Sequence, residues 1–451
     1  MKKITTLLTA IIGMALMNQV SATHVTVEVP TAGQLSSLVQ DVNCDSITIS
    51  GNLDGNDFWF IREQMPNLVY LNTSKVTVPG NRLPESGLYS KKTLQKIILP
   101  DNLETIGNHA FAYCSNLKNV TFPKSLVTIE YNVFYQSGLS EVVLPENLKE
   151  IEDGVFYECY SLKKVTFPKT LVTIGNNAFR QCSLSEIALS DSLKTIGNNA
   201  FRYCQQLQKV TFPEKLEAIG TYAFSDCFRL HTTTLKGKTA PAISDNTFNY
   251  TKVFYVPEGA AQTYKEASNW SNLVIIDGNT PKKITVTLTT AGTLGEEILK
   301  QVDYVKQVNE LVINGPLNSD DFYQIQQQAT NLISIDLTKA TIESLPENFF
   351  YERAALLDIK LPATLKSIGR NAFYQCYGLT QITIPEGVTS IKDHSFYQCL
   401  SLKEIKLPSS LTEIQEYTFQ ECKSLESIEF PANITNISPG TFYSCLALQQ
   451  V

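Results

Sequence analysis

The chain has 451 residues, of which 37 are basic and 44 acidic, giving a formal net charge of −7. Neither sign of charge clusters along the sequence, which argues against the basic surface of a nucleic-acid-binding protein. The length would suggest about three ordinary domains, but chains built from internal repeats do not follow that relation.

The first 22 residues have the pattern of a secretory signal peptide. Lys2 and Lys3 precede a short apolar run from Ile4 to about Val20, and small residues end the segment at Ala22. This predicts cleavage after Ala22 and a mature protein that is secreted or held at the cell surface. A transmembrane anchor is the alternative, although the run is short and has no flanking stop signal. No later stretch reaches the ~18 apolar residues of a membrane helix.

A phenylalanine recurs every 22 or 23 residues over much of the chain. The recurring residues are Phe111, Phe134, Phe156, Phe179, Phe201 and Phe224, followed by Phe350, Phe373, Phe396, Phe419 and Phe442. A period of this length is typical of a solenoid, in which each unit buries its apolar face only against its neighbours. Proteins of this kind usually bind partners through long regular surfaces.

Residues 111–134 show what one repeat contains. The apolar alternation over 117–122 predicts a short strand with one face inward. Pro123 should end that strand because proline has no N–H to donate. Residues 126–129 then turn the chain back, and bends such as 175–177, with Gly and Asn, supply the turn chemistry. Stacked repeats would place the strands in parallel, about 4.8 Å apart.

The repeat pattern L-x-x-I-x-x-x-A-F-x-x-C-x-x-L-x-x-V-x-F-P resembles the BspA-like class of bacterial leucine-rich repeats. The resemblance covers about 88–235 and 345–451, with looser repeats at 47–87 and 311–344. It implies an α/β fold: a right-handed leucine-rich-repeat solenoid with a parallel sheet of short strands, in two tandem arrays. Proteins of this class are associated with attachment to host extracellular-matrix proteins and other cells, so the resemblance implies a binding or adhesion function.

The same plan occurs twice in the chain. Residues 25–33 recur as 284–292, and Asp57-Phe58 recurs as Asp321-Phe322. Each copy therefore opens with an atypical capping region before its regular repeats. The predicted divisions are a signal peptide at 1–22, a first array with both caps at 23–277, a linker at 278–283 and a second array at 284–451. We also expect the two arrays to unfold as separate units.

The second array is expected to have an N-terminal cap but no C-terminal cap. The first array closes through an irregular segment at 240–270, whereas Val451 aligns with Val120 in the middle of a strand. This favours truncation from a longer chain. Fraying of the final repeat is the alternative.

Nine of the ten cysteines lie three residues after a repeat Phe, and Ser137 takes that place in one repeat. A residue type tied to the repeat is expected to be a small buried packing residue, so we predict free thiols and no disulfide. Adjacent repeats would place Cα atoms about 5 Å apart, so bridging stays open. Four such cysteines would spread over about 15 Å, too far to surround one zinc ion.

The usual catalytic motifs are missing from the sequence. None of the four histidines belongs to an H-E-x-x-H motif, and no G-x-S-x-G, P-loop or dinucleotide-binding glycine motif occurs. The segment 54–57 loosely resembles a calcium loop, but the N-cap of a helix beginning before Phe58 is the better interpretation. We therefore predict no enzyme activity, no catalytic residue, no metal and no cofactor.

Two surfaces of the predicted solenoid are candidates for binding. One is the outward face of the strands, with a mixed Lys, Glu and Thr composition; a solvated sheet face is its alternative. The other is the column of residues directly after the repeat Phe, rich in Tyr and Arg, which are enriched at binding hot spots. The predicted ligand-binding residues are Tyr135, Tyr157, Arg180, Arg202, Tyr351, Tyr374, Tyr397 and Tyr443. The alternative is that each Tyr lies over the next coil and only covers the stack.

The sequence therefore favours an exported leucine-rich-repeat binding protein that mediates adhesion or protein–protein interaction at the cell surface. Its predicted partner is a protein, such as a component of the host extracellular matrix. A glycan-binding surface protein that assists nutrient capture is the alternative, because rows of aromatic residues also stack on sugars.

Overall fold

The computed structural model describes residues 23–450, so the predicted signal peptide and Val451 lie outside the described residues. The described chain forms two compact units, divided between Leu139 and Ser140. In each unit, successive repeats place their strands side by side in parallel. The predicted leucine-rich-repeat fold is therefore confirmed.

Each regular repeat contributes one strand to a main column and a two-residue strand to a second column. The main-column strand Lys164–Thr166 has a buried middle residue between two exposed ones, as predicted. It ends before Pro168, in agreement with the predicted role of the repeat proline. The second-column strand Thr173–Ile174 lies where the sequence predicted only a turn, and its Ile is buried. The repeat is therefore held by two parallel columns rather than one.

Among residues 23–139, the main column has five strands and the second column has three. The main-column strands are His24–Val29, Ser46–Asn52, Tyr70–Thr77, Lys96–Ile98 and Asn119–Thr121. The second-column strands are Arg82–Leu83, Thr105–Ile106 and Thr128–Ile129. The α-helices are Leu35–Leu38 and Gly55–Gln64, and a 3₁₀ turn spans Pro79–Asn81. Helix is thus confined to the capping region and the first loose repeats.

Residues 140–277 carry the rest of the predicted first array. The main-column strands are Glu141–Val143, Lys164–Thr166, Glu186–Ala188, Lys209–Phe212, Thr232–Leu235, Val253–Val256 and Val274–Asp277. The second-column strands are Glu150–Ile151, Thr173–Ile174, Thr195–Ile196 and Ala218–Ile219. One α-helix, Ala261–Glu266, lies between the last two main-column strands.

The predicted second array repeats this organisation. Its main-column strands are Lys283–Thr287, Glu310–Pro316, Ser334–Thr341, Asp358–Lys360, Gln381–Thr383 and Glu404–Lys406. Its second-column strands are Ser344–Leu345, Ser367–Ile368, Ser390–Ile391 and Glu413–Ile414. Its α-helices are Leu294–Leu299 and Ser319–Tyr323, with a 3₁₀ turn at Val305–Gln307 and a π-helical turn at Gln324–Gln328. After Ile414, residues up to 450 form a single parallel bridge, between Ser427 and Gln450.

The repeat phenylalanines stack on one another in the core. Phe179 is fully buried, and its ring centroid lies 5.2 Å from that of Phe156 and 5.3 Å from that of Phe201. The stack extends beyond the predicted series, because Phe248 stacks on Phe224 at 5.5 Å. The phenylalanine stack therefore continues into the segment that the sequence predicts to be the C-terminal cap of the first array.

Two aspartates at corresponding positions hold the N-terminal segments of the two copies. Each carboxylate is buried and accepts three backbone N–H hydrogen bonds. The donors to Asp57 are Gly33 at 2.7 Å, Leu35 at 2.9 Å and Asp54 at 2.9 Å. The donors to Asp321 are Gly292 at 2.7 Å, Leu294 at 2.9 Å and Asn318 at 3.0 Å. The duplication read from the sequence is thus a duplication of hydrogen-bond geometry as well.

The two predicted arrays contact each other within the second unit. An apolar cluster joins strands near the end of the first array to the second array through Val253, Val274, Ile276, Ile333 and Ala355. Tyr250 and Tyr377 also meet edge to face across the same boundary, with centroids 4.8 Å apart. These contacts disagree with the expectation that the arrays unfold separately. The linker at 278–283 stays a prediction.

His231 lies at this contact between the arrays. The Ser401 hydroxyl donates to the Phe228 carbonyl at 2.8 Å and lies 3.4 Å from His231 Nδ1. Burial lowers the pKa of His231 from 6.5 to about 4, and the nearby Lys403 and Arg229 cations add to the effect. The imidazole is therefore neutral in the packed interface at neutral pH.

Acidification is expected to weaken the second unit through His231. The unfolded chain takes up a proton on this side chain near pH 6.5, whereas the folded one does so only near pH 4, so stability is lost as the pH falls through that range. Between pH 7 and pH 4.5, we expect the melting temperature of His231→Gln to fall less than that of the parent protein. Equal losses in the two proteins would contradict this role.

Candidate functional site

The Tyr/Arg column, defined as the eight predicted ligand-binding residues, lies on the turn after each repeat Phe. The Phe side chain enters the core, so the next residue points outward: Phe179 is fully buried and Arg180 is half-buried. The turn also requires two left-handed residues per repeat, and in this one Asn177 has a φ of 54° and Gln181 a φ of 62°. Asn adopts this conformation more readily than most residues, which explains the Asn-rich bends.

In the first array, part of the column is a chain of cation–π contacts. The Arg180 guanidinium lies 5.3 Å from the ring centroid of Tyr157 and 5.7 Å from that of Tyr203. The Arg202 guanidinium lies 4.8 Å from the centroids of both Tyr203 and Tyr222. Arg and Tyr therefore alternate along this surface, and each cation is held between two rings. Tyr203 and Tyr222, which occupy the left-handed positions, were not among the residues predicted from the sequence.

In the second array, the column is a stack of tyrosine rings. Tyr374 lies between Tyr351 and Tyr397, with centroid distances of 4.7 and 4.6 Å and ring planes within 11° of parallel. His394 contacts Tyr397 at 5.7 Å and stacks on Tyr417 at 5.2 Å. The predicted row therefore exists and is longer than predicted, because His394 and Tyr417 extend it.

Tyr135 and Tyr443 are the two other predicted residues. Tyr135, in the first unit, meets Tyr113 edge to face at 5.0 Å, and Tyr113 meets Tyr89 in the same way at 5.3 Å. Tyr443 is 66% exposed and is stacked on no other ring of residues 23–450.

The stacking determines which parts of the tyrosines face solvent. Tyr374 has both ring faces covered by its neighbours, so its ring edge and hydroxyl are the exposed parts. Burial and the nearby Glu421 carboxylate raise the pKa of Tyr397, whose hydroxyl lies 3.5 Å from Glu421 Oε1. The geometry is compatible with both interpretations of the column. The rings cover the coils, as the packing interpretation requires, and they also present an ordered row of hydroxyl groups that could contact a ligand.

The strand face of the second array contains a shallow groove of about 530 Å³. Three neighbouring main-column strands line it with Asp358, Lys360, Gln381, Thr383, Glu404 and Lys406. The Glu404 and Lys406 side chains pair with each other at 3.5 Å. Their outward direction is as predicted, and the mixed charges give this face no net preference for a cation or an anion.

The repeat cysteines have a common hydrogen bond. The thiol of Cys204 donates to the carbonyl of Phe179, the repeat Phe of the preceding repeat, at 3.1 Å. The same bond, at 3.1 or 3.2 Å, is made from Cys182, Cys227, Cys376, Cys399, Cys422 and Cys445. A small, weakly donating side chain is thus placed on a buried carbonyl, which explains why cysteine recurs here.

We expect these thiols to be unreactive in the folded protein. Burial raises the pKa of Cys204 to about 12, so almost no thiolate forms at pH 8. Iodoacetamide at pH 8 should label the native protein poorly, and thiol titration after denaturation should recover nearly all ten cysteines. Recovery of two or fewer would show that the cysteines are bridged.

The remaining polar clusters have structural roles. The segment 54–57 is the N-cap of a helix with a complete capping box, as predicted. Among residues 23–450, no group of three or more His, Cys, Asp or Glu side chains is placed to hold a metal ion. None of the helices in the described part of the chain has the length and apolar character needed to cross a bilayer.

A family model described as "BspA type Leucine rich repeat region" matches this sequence in six copies. The matches cover residues 82–187, 128–255, 172–285 and 325–451. A search of the curated proteins found no match.

Several solved structures resemble this one. A leucine-rich-repeat protein from Bacteroides ovatus is 22% identical, with 85% of this chain and 92% of that chain covered and a TM-score of 0.33. A leucine-rich cell surface protein from Faecalibacterium prausnitzii is 21% identical, with coverage of 95% and 86% and a TM-score of 0.35. The leucine-rich-repeat protein of T. pallidum is 28% identical over 36% of this chain and 78% of its own, with a TM-score of 0.33.

Proposed function

This chain belongs to the BspA-type leucine-rich-repeat family, and we propose that it is an exported binding protein that attaches to a protein partner at the cell surface. The proposal of export rests on the signal-peptide pattern of residues 1–22. The proposal of binding rests on the Tyr/Arg column. The proposal includes no catalytic activity, because the usual catalytic motifs are missing from the sequence.

The observation that carries the proposal is the rigidity of the column. Tyr374 is held between two parallel rings, and Arg202 between Tyr203 and Tyr222. Ordering a mobile side chain on binding costs about 0.5–1.5 kcal/mol, and side chains already held in place avoid most of that cost. A pre-ordered row of Tyr and Arg is the composition and the state that protein hot spots favour.

The same geometry favours a protein over a glycan as partner. A sugar ring stacks on an open aromatic face, but the faces of Tyr374 are covered by Tyr351 and Tyr397. Ring edges, hydroxyl groups and guanidinium groups suit the carbonyl and carboxylate groups of a protein surface. We therefore rank a host extracellular-matrix protein as the first partner to test and the glycan-binding alternative second.

The test is a binding screen of the mature protein against immobilised extracellular-matrix proteins and a glycan array. For a matrix protein that binds, replacing Tyr374 and Tyr397 together by Ala should weaken capture by about 2 kcal/mol or more, roughly 30-fold. Binding to the glycan array alone would select the glycan alternative.

Two control variants separate binding from packing. The double variant Tyr374→Phe with Tyr397→Phe keeps the ring stack and removes the hydroxyl groups, so its melting temperature should match that of the parent protein. If the double Ala variant melts lower but binds equally well per folded molecule, the column only covers the coils. A loss of binding confined to changes at Gln381, Thr383, Glu404 and Lys406 would move the site to the strand face.

A further inference from the structure

A groove of about 1160 Å³ lies where the two arrays meet within the second unit. We call it the junction groove. One wall comes from the helix Ala261–Glu266 of the first array, and the other from the 3₁₀ turn Val305–Gln307 of the second. The apolar cluster that includes Val274 and Ile333 lies at the same boundary, so the two walls belong to one packed body.

The floor of the junction groove is the open edge of a β-strand. Val274–Asp277 is the last strand of its sheet and pairs in parallel only with Val253–Val256 among the described strands. The Val274 N–H donates to a carbonyl on that paired side at 2.9 Å. Because successive residues direct their main-chain groups to opposite sides, those of Ile275 and Asp277 point the other way. Both residues line the groove, with Asp277 exposed and Ile275 6% exposed, so the unpaired side of the strand faces the groove.

The side chains around this edge are mainly basic. Lys265, Lys282, Lys283 and Lys306 line the groove, all four are exposed, and none forms an ion pair within residues 23–450. Asp277 is the single acidic residue of the lining. Beyond the lining, Glu310 lies in register with Lys283 on the neighbouring strand, and Glu266 accepts a hydrogen bond from Gln262 in the wall helix. The acidic residue Asp303 lies beside Gln307. Within the lining itself, lysines outnumber acidic residues four to one. The excess of positive charge favours an anionic occupant.

We propose that the junction groove binds an extended acidic peptide segment, which pairs as an added strand with the edge of Val274–Asp277. Main-chain hydrogen bonds to Ile275 and Asp277 would supply the strand pairing, and acidic side chains would reach the lysines. Tyr304, 67% exposed at the groove, would cover the bound chain. This site is separate from the Tyr/Arg column and gives the protein a second way of binding proteins.

The probe is a fluorescent hexapeptide of alternating glutamate and valine, followed by fluorescence anisotropy with the mature protein at low ionic strength. The acidic peptide should bind, and a peptide of alternating lysine and valine should not. Methylation of alternate backbone nitrogens removes the donors needed for strand pairing and should weaken binding at least about tenfold. Equal binding of the methylated peptide, or no binding of the acidic peptide, would overturn the proposal.

Charge-reversal variants locate the binding site. The double variant Lys282→Glu with Lys306→Glu should bind the acidic peptide at least about tenfold more weakly, because repulsion replaces attraction in the groove. Lys163→Glu with Lys209→Glu makes the same change in net charge at exposed positions outside the groove and should leave binding unchanged. Equal loss in both variants would overturn the proposed location.

Two further measurements distinguish this proposal from its alternatives. Polygalacturonate that binds as tightly as the peptide and displaces it would assign the groove to anionic glycans instead. The double Ala variant of Tyr374 and Tyr397 should retain peptide binding. Loss of matrix-protein binding in that variant would therefore test the Tyr/Arg column, and loss of peptide binding would test the junction groove, so the two proposals can fail independently.

Discussion

Phe179→Ala is expected to lower the free energy of unfolding of the second unit by about 3–5 kcal/mol. The Phe179 side chain is fully buried, stacks on Phe156 and Phe201, and meets Phe167 edge to face at 5.6 Å. Ala would leave a cavity between two rings that cannot close it, because each is fixed by its own repeat. The loss combines the burial of the ring with the cost of that cavity.

Tryptophan fluorescence can report this result for the second unit alone. The chain has two tryptophans, and Trp59 of the first unit is 51% exposed, so Trp59→Phe leaves buried Trp270 as the reporter. Urea unfolding in that background should show the loss for Phe179→Ala and a much smaller loss for Phe442→Ala, since Phe442 is only partly buried. A loss below about 1 kcal/mol for Phe179 would mean that the periodic Phe does not mark the core.

The parts of the fold that the sequence predicted are those that repeat. Phe179 and Cys204 recur at fixed spacing, and a recurring buried contact leaves a recurring residue type. The second-column strands were missed because two residues, such as Thr173–Ile174, are too short to show a period. The contact between the arrays was missed for a different reason: Ile333 and Ala355 are ordinary repeat residues that become buried against Val253 only in the folded chain.

The candidate site was predicted in the same partial way. The row of Tyr351, Tyr374 and Tyr397 was visible because the three residues share one position of the repeat. Tyr222 and Tyr417 extend the rows from a position two residues before the repeat Phe. The signal there is an aromatic residue where Asn is usual, with φ values of 59° and 55° that disfavour a bulky side chain. An aromatic residue at a left-handed position indicates that its ring has a contact to make.

The N-terminal segment of the second array should depend on one carboxylate, that of Asp321. This side chain is fully buried and accepts the N–H groups of Gly292, Leu294 and Asn318. Asp321→Ala removes the acceptor of one buried N–H group, that of Leu294, and of two part-buried ones, those of Gly292 and Asn318. A buried donor left unsatisfied costs about 1–3 kcal/mol, and a part-buried one costs less because water can reach it. We therefore expect the free energy of unfolding to fall by about 2 kcal/mol or more, measured by urea unfolding followed through Trp270. Asp321→Asn keeps one acceptor oxygen, so its free energy of unfolding should fall less than that of Asp321→Ala.

The neighbouring aspartate provides the matched control. Asp320 is exposed in the first turn of the same helix. A negative charge at that position stabilises a helix by about 0.3–1 kcal/mol, so Asp320→Ala should lower the free energy of unfolding by no more than that. Asp57→Ala makes the equivalent change in the first unit, where Trp59 reports unfolding, and a similar loss is expected because the three hydrogen bonds are the same. If Asp321→Ala lost no more than Asp320→Ala, water would be satisfying the three donors, and the duplicated geometry would not be what holds these segments.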